Sequence, residues 1–270
     1  MLALNILLGL NALSCLIFGT LFTTKTKNVA QALGSDPLLP PLVFVSGVVL
    51  LIFSAHLITA ILRKNKIKGE VYYFSLGDSL WVMGSIALLM GTKIISETTG
   101  VYYTIAVALM VAIFAVGQLI LGKSLPENTI QNRMVVNTSK EKAWKVLADF
   151  SNISQYHPLV LKSEASSESN EGLGARRHCT FRDGGQVDEE VLWWQEGVGY
   201  SVSIEGMPVP VKDFENRIEL KSENGQTQLS ITTKFRGAGF FSEIFLGFLL
   251  KPVLRRKMAK VLEGFAEAVT

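Results

Sequence analysis

Apolar residues are distributed unevenly along the chain, and its two halves show different patterns. Four long apolar runs occupy residues 2–22, 42–62, 72–90 and 101–121. Each run is close to the ~20 residues that a helix needs to cross ~30 Å of hydrocarbon. We therefore predict a multi-pass α-helical membrane bundle over residues 1–122, followed by a linker at residues 123–128 in which Pro126 stops the last helix.

In the second half, residues 129–270, the apolar segments are short and alternate with polar residues, as in a water-soluble domain. Alternation of apolar and polar residues, interrupted by glycine-containing turns, predicts seven strands. We place them at residues 129–136, 160–167, 175–182, 187–195, 200–205, 212–222 and 226–236. Two short helices fill residues 138–156, and Thr138 with Glu141 forms a capping box at their start. Asn224-Gly225 predicts a tight hairpin between the last two strands.

The pattern of the C-terminal segment, residues 240–270, predicts a helix that Pro252 either kinks or begins, as a residue of its first turn. After Pro252, one apolar stripe consists of Leu254, Met258, Val261, Leu262, Phe265 and Val269. Before it, a second stripe consists of Phe241, Ile244, Phe245, Phe248 and Leu249. We expect the sheet to hold the first stripe, and the second to form a lid or a piece that touches the bilayer. The alternative is one long bent helix with both stripes buried.

Charge and cysteine content narrow the classes of partner. A basic cluster consists of Lys251, Arg255, Arg256, Lys257 and Lys260. Near an anionic membrane surface each such charge adds up to ~1 kcal/mol, so the bilayer is an expected partner. The net charge of +3 is too small to argue for nucleic acid. Cys15 and Cys179 lie far apart, and the three histidines are scattered, so we predict no disulfide framework, metal or cofactor.

Loop charges predict the orientation of the bundle. The second loop contains Arg63, Lys64, Lys66 and Lys68. We therefore predict a multi-pass protein of the cell membrane. The positive-inside rule places this loop, both termini and the C-terminal domain in the cytoplasm. Lys25 and Lys27 in the first loop oppose this orientation.

Polar residues inside the apolar runs are the functional hint in the first half. Counting from the inner ends of the spans, His56, Asp78 and Gln118 fall at similar depth, and Asn5 lies near the same level. Ionisable groups inside a membrane are costly and tend to mark functional sites. One interpretation is a His56–Asp78 hydrogen bond that holds the bundle together, joined by Gln118. The other is proton or ion movement.

Several stretches of the second half match a known pattern in order. They are Thr138 to Trp144, Asp149-Phe150, Tyr156-His157-Pro158, Gly174-Ala175-Arg176, Asp183-Gly184-Gly185, Glu189, Tyr200 and Pro210 to Phe214. This order resembles the helix-grip fold of the SRPBCC superfamily, which includes START lipid-transfer domains, Bet v 1-like allergens and polyketide cyclases/dehydrases. The resemblance covers residues 129–268 and implies an α+β domain with a curved antiparallel sheet around a long C-terminal helix.

The resemblance also implies a cavity for an apolar ligand between the sheet and that helix. Candidate lining residues are Tyr156, Cys179 (or His178), Phe181, Glu189, Tyr200, Val202, Ile204, Phe214 and Asn216. A shift of one residue in register would turn any strand over, so the opposite parity stays open. Lys162 and Glu189 match positions where plant abscisic-acid receptors hold an inward Lys and Glu, while the alternative for Lys162 is a solvated strand residue. The gate and latch motifs of those receptors are missing, which argues against abscisic acid.

Two classes of function follow, with a third behind them. The favoured hypothesis is a membrane-anchored domain that binds or transfers a lipid or other apolar small molecule. The second is an enzyme resembling the polyketide cyclases/dehydrases, with Glu189 and Tyr200 in the cavity. The third is a ligand-sensing regulator of the membrane bundle. His157, before Pro158, is a weaker candidate for a general base, and a role in the loop is the alternative.

Overall fold

The computed structural model describes all residues from Met1 to Thr270. The chain divides into two compact units, Met1–Pro126 and Glu127–Thr270. The division falls at Pro126, whose missing N–H and fixed φ prevent the preceding helix from continuing.

The first unit is built from helices alone. They are α1 (Leu2–Thr24), α2 (Thr26–Leu33), α3 (Leu39–Leu62), α4 (Lys68–Gly91) and α5 (Thr98–Lys123). The four long ones, α1, α3, α4 and α5, are long and apolar enough to cross a membrane, as predicted. Their outward faces are apolar, with Ile52 and Ile113 exposed by 66% and 68%. Such continuous apolar faces fit hydrocarbon rather than water.

The short helix α2 lies in the first loop between the predicted spans and is not among the predicted elements. Its Ala30 packs in a small cluster with Leu39 and Val43 of α3. The carbonyl of Leu33, its last residue, accepts the N–H of Ser96 at 3.0 Å. The first and third loops therefore meet at one end of the bundle, as an up-and-down arrangement of four spans requires.

Asp78 of α4 has two hydrogen-bond partners. Gln118 on α5 is predicted from the sequence, whereas Asn11 on α1 is not. Oδ2 of Asp78 accepts hydrogen bonds from Gln118 Nε2 at 3.0 Å and from Asn11 Nδ2 at 2.7 Å. The amide that α1 contributes is thus Asn11, which lies at a different level from Asn5. Three of the four long helices meet at this carboxylate.

The predicted hydrogen bond between His56 and Asp78 is wrong, because His56 pairs with Glu70 instead. His56 Nε2 lies 3.1 Å from Oε1 of Glu70, and the other oxygen of Glu70 accepts from Arg63 at 2.5 Å. Helix α4 begins at Lys68, four residues before the predicted span, so Glu70 lies in its first turn. Glu70 is 2% exposed, and this buried carboxylate has both Arg63 and His56 as partners next to the α3–α4 turn.

The second unit follows the predicted order. Its elements are β1 (Asn128–Val136), α6 (Lys140–Ala148), a 3-10 turn (Phe150–Gln155), β2 (Val160–Ala165), β3 (Arg176–Phe181), β4 (Gln186–Gln195), β5 (Gly199–Glu205), β6 (Val211–Glu223), β7 (Gln226–Gly237), α7 (Phe240–Phe245), a π-helical turn (Leu246–Leu250) and α8 (Lys251–Val269). The strands form one antiparallel sheet in the order β1-β7-β6-β5-β4-β3-β2. This confirms the predicted fold class.

Two local predictions on turns have different outcomes. Asn224 and Gly225 have φ of 52° and 78°, the left-handed pair that a two-residue hairpin needs, as predicted. The cap of α6 lies one residue later than predicted, because Ser139 accepts the N–H of Lys142 at 3.2 Å. Thr138 instead uses its carbonyl, which accepts from Thr227 Oγ1 at 2.8 Å.

The C-terminal segment stays helical from Phe240 to Val269, so a break at Pro252 is wrong and the alternative, Pro252 in the first turn of a helix, is correct. Pro252 is the second residue of α8, where its missing N–H costs no hydrogen bond. The irregularity lies earlier, in the π-helical turn Leu246–Leu250. The buried residues of α8 are Leu254, Met258, Val261, Leu262, Phe265 and Val269. The predicted first stripe is therefore confirmed.

Candidate functional site

The inner face of the sheet and the buried stripe of α8 enclose the interior of the second unit. On β3, alternation turns Arg177 and Cys179 inward, and both are 1% exposed. His178 points outward, where its Nδ1 lies 2.7 Å from Oδ1 of Asp188. Of the two parities left open for this strand, the one with Cys179 inside is correct.

Most of the predicted lining residues face this interior. Tyr156, Cys179, Glu189, Tyr200, Val202 and Phe214 are buried, and Phe181, Ile204 and Asn216 are half-buried. Their place on the inner face follows from strand alternation and the observed register. A role for them in binding a ligand stays a prediction.

Lys162 is the exception. Its side chain is 63% exposed and forms an ion pair with Glu164 at 2.7 Å on the surface of β2. The register of β2 pairs Ser163 with Cys179, and Ser163 Oγ lies 3.7 Å from the thiol of Cys179. An inward Lys162 is therefore wrong, and the solvated alternative is correct.

The cation that faces Glu189 is Arg177, which the sequence interpretation missed. Nε of Arg177 donates to Oε2 of Glu189 at 2.7 Å, and Nη2 donates to the same oxygen. Nη1 donates to the carbonyl of Phe150, and the guanidinium lies 4.0 Å from the centre of the Phe150 ring. Burial alone would lower the pKa of Arg177, but Glu189 and two nearby tyrosines raise it above its usual value. Arg177 is therefore charged at any pH at which the domain is folded.

Aromatic side chains close the space around this ion pair. The hydroxyls of Tyr156 and Tyr200 lie 3.3 Å apart. Tyr200 stacks on Trp194 at 5.6 Å, and Tyr156 meets the ring of Phe265 on α8 edge-on at 5.2 Å. Burial, followed by the neighbouring Tyr200, raises the pKa of Tyr156 well above its usual value. At this end the interior is filled by protein side chains.

Two further titratable groups near this end are neutral at pH 7. Burial, and then Glu189, raises the pKa of the Cys179 thiol to about 11, so it is not an activated nucleophile. Burial, and then Arg177, lowers the pKa of His157 to about 4. His157 Nδ1 is buried without a protein partner. Neither group has the paired base or acid that covalent or acid–base catalysis needs.

The opposite end of the interior is lined mainly by apolar residues. Phe214 and Leu246 belong to an apolar cluster there, and Ile204 and Met207 pack against it. Ile204, Met207 and Asn216 keep part of their surface accessible although alternation or packing directs them inward. These three half-buried residues lie at the end of the interior where Leu246, the first residue of the π-helical turn, is buried.

Polar groups are few at this end, and one of them is unpaired. Thr233 Oγ1 donates to Oδ1 of Asn216 at 2.6 Å. Asn132, diagonal to Thr233 across the β1–β7 ladder, donates from Nδ2 to the carbonyl of Arg255 at 3.2 Å. Oδ1 of Asn132 is buried with no hydrogen-bond donor in the protein. A buried acceptor without a donor suits a ligand that donates a hydrogen bond.

A shallow cleft of about 340 Å³ opens on another side, between the 3-10 turn and the end of α8. Its lining consists of Ser154, Gln155, Tyr156, His157, Pro158, Arg182, Gly264, Glu267 and Ala268. Gly264 allows the close approach, since a Cβ there would lie 2.3 Å from the carbonyl oxygen of Tyr156. The cleft is largely polar and differs from the apolar end near α7.

The second predicted stripe remains largely on the surface. Phe241 is 72% exposed and Leu249 is 60% exposed, while Leu246 between them is completely buried. This rules out the alternative in which both stripes pack against the sheet. In the predicted basic cluster, Lys251 is half-buried, and Arg255, Arg256, Lys257 and Lys260 are exposed.

Comparison with known families identifies the second unit. A family model described as "Polyketide cyclase / dehydrase and lipid transport" matches residues 128–270, more than half of the chain. The chain belongs to this family. The resemblance predicted from the motifs between residues 129 and 268 is therefore confirmed. No curated protein matches the chain.

Solved structures similar to this member of the polyketide cyclase/dehydrase and lipid transport family cover about half of it. The protein XoxI from Bacillus cereus is 17% identical, with a TM-score of 0.44, over 52% of this chain and 94% of that one. Major latex-like protein 151 from Panax ginseng is 7% identical, with a TM-score of 0.45, over 53% and 97% of the two chains. Ara h 8.0201 is 15% identical, with a TM-score of 0.45, over 53% and 97%.

Proposed function

We propose that the second unit binds a small molecule with an apolar body between its sheet and α8, while the four long helices anchor it in a membrane. The observation that supports this most directly is that Ile204, Met207 and Asn216, next to the π-helical turn before α8, are only half-buried although alternation or packing directs them inward. Binding sites for small molecules are concave and mostly apolar, with a few placed polar groups. The description of the family includes lipid transport, so a fatty acid or related lipid is the first class to test.

The ligand lies at the apolar end and not beside Arg177. The guanidinium of Arg177 already has Glu189 and the Phe150 carbonyl as partners, and aromatic rings cover it. Asn132 Oδ1, in contrast, has no hydrogen-bond donor in the protein. A protonated carboxyl or a hydroxyl at one end of the ligand donates to Asn132, and the apolar body packs along Ile204 and Phe214.

This arrangement favours binding over catalysis. A cyclase or dehydrase needs an acid or base that is free to exchange a proton with its substrate. The carboxylate of Glu189 is held by two donors from Arg177, and the hydroxyl of Tyr200 is buried against Tyr156. Binding or transfer therefore remains the function that we propose, with the second unit on the cytoplasmic side, as the loop charges predict.

The bilayer itself is the second partner in this proposal. The chain from Lys123, the end of α5, to Asn128, the start of β1, spans at most roughly 17 Å. Asn128 Nδ2 donates to Oε2 of Glu243, which places α7 next to the start of β1. The exposed side chains of Phe241 and Phe245 are thus within reach of the lipid surface, and the basic residues that follow on α8 suit anionic headgroups.

A fluorescent fatty acid tests the binding proposal. The full chain is reconstituted in vesicles of one synthetic lipid and titrated with a dansyl-labelled fatty acid, and energy transfer from the tryptophans is recorded. We expect saturable transfer, because a protein site fills whereas partition of the probe into lipid does not, and Trp194, which packs against the core of the domain, is a donor. Ile204→Phe places a larger side chain in the proposed site and should weaken binding at least tenfold. Leu192→Phe, at an outward position on β4 that is 50% exposed, is the matched control.

Each outcome decides for or against the proposal. Saturable transfer that Ile204→Phe weakens and Leu192→Phe preserves supports a site in the sheet–helix space. Transfer that rises with the concentration of the fatty acid without saturating rejects it. Equal affinity in both variants rejects the location at Ile204.

A further inference from the structure

A carboxyl group lies at the centre of the first unit, and the proposed binding function does not use it. Asp78 is 4% exposed, and its two amide partners, Asn11 and Gln118, are 1% and 0% exposed. Both amides donate to the same oxygen, Oδ2. These residues come from three helices that are each long enough to cross a membrane.

The groups packed around Asp78 carry no compensating positive charge. From α1, Cys15 Sγ lies 3.4 Å from Oδ1 of Asn11, which fixes the orientation of that amide. From α3, Ser54 donates to the carbonyl of Ala12, and on α4, Ser75 donates to that of Ala115. All of these groups are neutral at pH 7.

The ionisable side chains of the neighbouring cluster are paired with one another. Arg63 and His56 both lie against Glu70. An ionised carboxylate inside hydrocarbon with only neutral partners is costly, and carboxyl groups in such places take up a proton.

Gln118 is suited to both states of the carboxyl. Its Nε2 donates to the carboxylate at 3.0 Å, while its Oε1 is buried without a partner. Rotation of the amide by 180° exchanges the two atoms without moving the helix. Oε1 then accepts a hydrogen bond from a protonated Asp78. Asn11 has no such freedom, because its Oδ1 accepts from Cys15.

We propose that Asp78 is a proton-binding site of the membrane unit, with Gln118 as the amide that adapts to each protonation state. On protonation, one proton from water binds Oδ2, the charge of the carboxyl changes from −1 to 0, and Gln118 turns its carbonyl toward the new O–H. On release, the proton returns to water and Gln118 turns back. A hard metal cation fits less well, because such ions take six or more oxygens and two N–H donors point at this one.

Infrared spectroscopy tests the proposal on the full chain in vesicles. Protein made with aspartate that contains ¹³C in its side-chain carboxyl is compared with unlabelled protein at neutral pH. We expect a carboxylic-acid C=O band that shifts on labelling, since the five other aspartates of the chain lie outside the four long helices. Asp78→Asn should abolish the band, and Glu97→Gln, at an exposed loop position, should leave it.

A second variant, which keeps the carboxyl group of Asp78, distinguishes a protonated carboxyl from a buried carboxylate. Gln118→Leu removes the acceptor, so the labelled band should persist and move to higher frequency as its hydrogen bond is lost. Absence of any labelled acid band in the wild-type protein overturns the proposal. A band that disappears when Na⁺ replaces choline in the buffer also overturns it, in favour of a cation site. Since the isotope shift is measured on the unmutated chain, a variant that fails to fold does not prevent the decision.

Discussion

Asn128, the first residue of β1, donates a hydrogen bond from Nδ2 to Oε2 of Glu243 on α7, at 3.0 Å. The other oxygen of Glu243 accepts the N–H of Gly237, the last residue of β7, at 3.0 Å. One carboxylate, 5% exposed, therefore joins the first strand, the last strand and α7. It fixes α7 at the place where the chain enters the second unit.

Removal of this carboxylate should release α7. Glu243→Ala leaves the buried amide of Asn128 without an acceptor, which costs about 1–3 kcal/mol. We expect backbone amides of α7 to exchange with deuterium at least tenfold faster, while those of β6 and β7 change little. Hydrogen exchange followed by mass spectrometry measures both. Glu196→Ala, on an exposed turn, is the control, and equal exchange of α7 in the two variants would contradict a role for Glu243.

The buried pair of Arg177 and Glu189 should behave as a unit. Glu189→Gln leaves Arg177 charged in the core, and we expect a loss of about 3–5 kcal/mol in the free energy of unfolding. The double variant Arg177→Met with Glu189→Leu should be more stable than either single variant, because no charge is left without its partner. Urea unfolding of the full chain in detergent, followed by tryptophan fluorescence, measures these values.

The surface pair of Arg176 and Glu190 provides the matched control on the same two strands. These side chains lie 2.7 Å apart but are 59% and 39% exposed. Arg176→Met should cost less than about 1 kcal/mol. A cost for Glu189→Gln as small as that of Arg176→Met would show that water or another group compensates Arg177.

Local pattern predicts much of this fold because the strands alternate regularly and end at glycine-containing turns. The predicted strand at residues 200–205 differs from β5 by one residue, and the stripe from Leu254 to Val269 is buried as predicted. What local pattern lacks is the choice of partner. Glu70 lies just outside the predicted third span. Asn11 is distinguished from the other polar residues of α1 only by its contact with Asp78 of α4 in the folded bundle.

Two features of the candidate site show the same limit. The inward position of Arg177 is predictable from the sequence, because Arg177 lies two residues before Cys179 on the same strand and therefore on the same face. Lys162 was assigned inward by resemblance, whereas the irregular register between Val160 and Lys162 turns it outward. A bulge of this kind depends on the neighbouring strand and leaves no mark in the alternation.

His157 should make the second unit sensitive to acid. Its pKa falls from 6.5 to about 4 on folding, mainly through burial. The folded state therefore resists protonation, so its stability is full above pH 6.5 and decreases as the pH falls toward 4. The largest loss is about 3 kcal/mol, at 1.36 kcal/mol for each pKa unit.

Thermal unfolding between pH 7 and pH 4 checks this dependence. In His157→Gln the part of the decrease that belongs to this residue should disappear, so the variant loses less stability on acidification than the wild type. His178→Gln, on the outer face of β3, should retain the wild-type step. Parallel pH profiles for the wild type and His157→Gln would show that His157 titrates equally in the folded and unfolded states.

The exposed stripe that includes Phe241 and Phe245 should enter the lipid headgroup region. A cysteine introduced at Phe241 can be labelled with an NBD fluorophore, because Cys15 and Cys179 are buried. With the full chain in vesicles, a spin-labelled lipid should quench this fluorophore. Phe245→Glu adds a charge to the face that we expect to lie in the interface, so quenching should decrease by more than half while the domain stays folded.

Lipid charge and a matched variant complete this test. Leu161→Glu places the same charge on β2, at a position that is 59% exposed, and should leave quenching unchanged. Anionic lipid should increase quenching, since Arg255, Arg256 and Lys257 are exposed and each contributes up to ~1 kcal/mol near such a surface. Replacement of these three by Gln should remove the dependence on lipid charge but not the apolar contribution of Phe245. If the wild-type fluorophore is not quenched in any vesicle, α7 does not touch the bilayer, and the stripe covers the apolar end of the second unit instead.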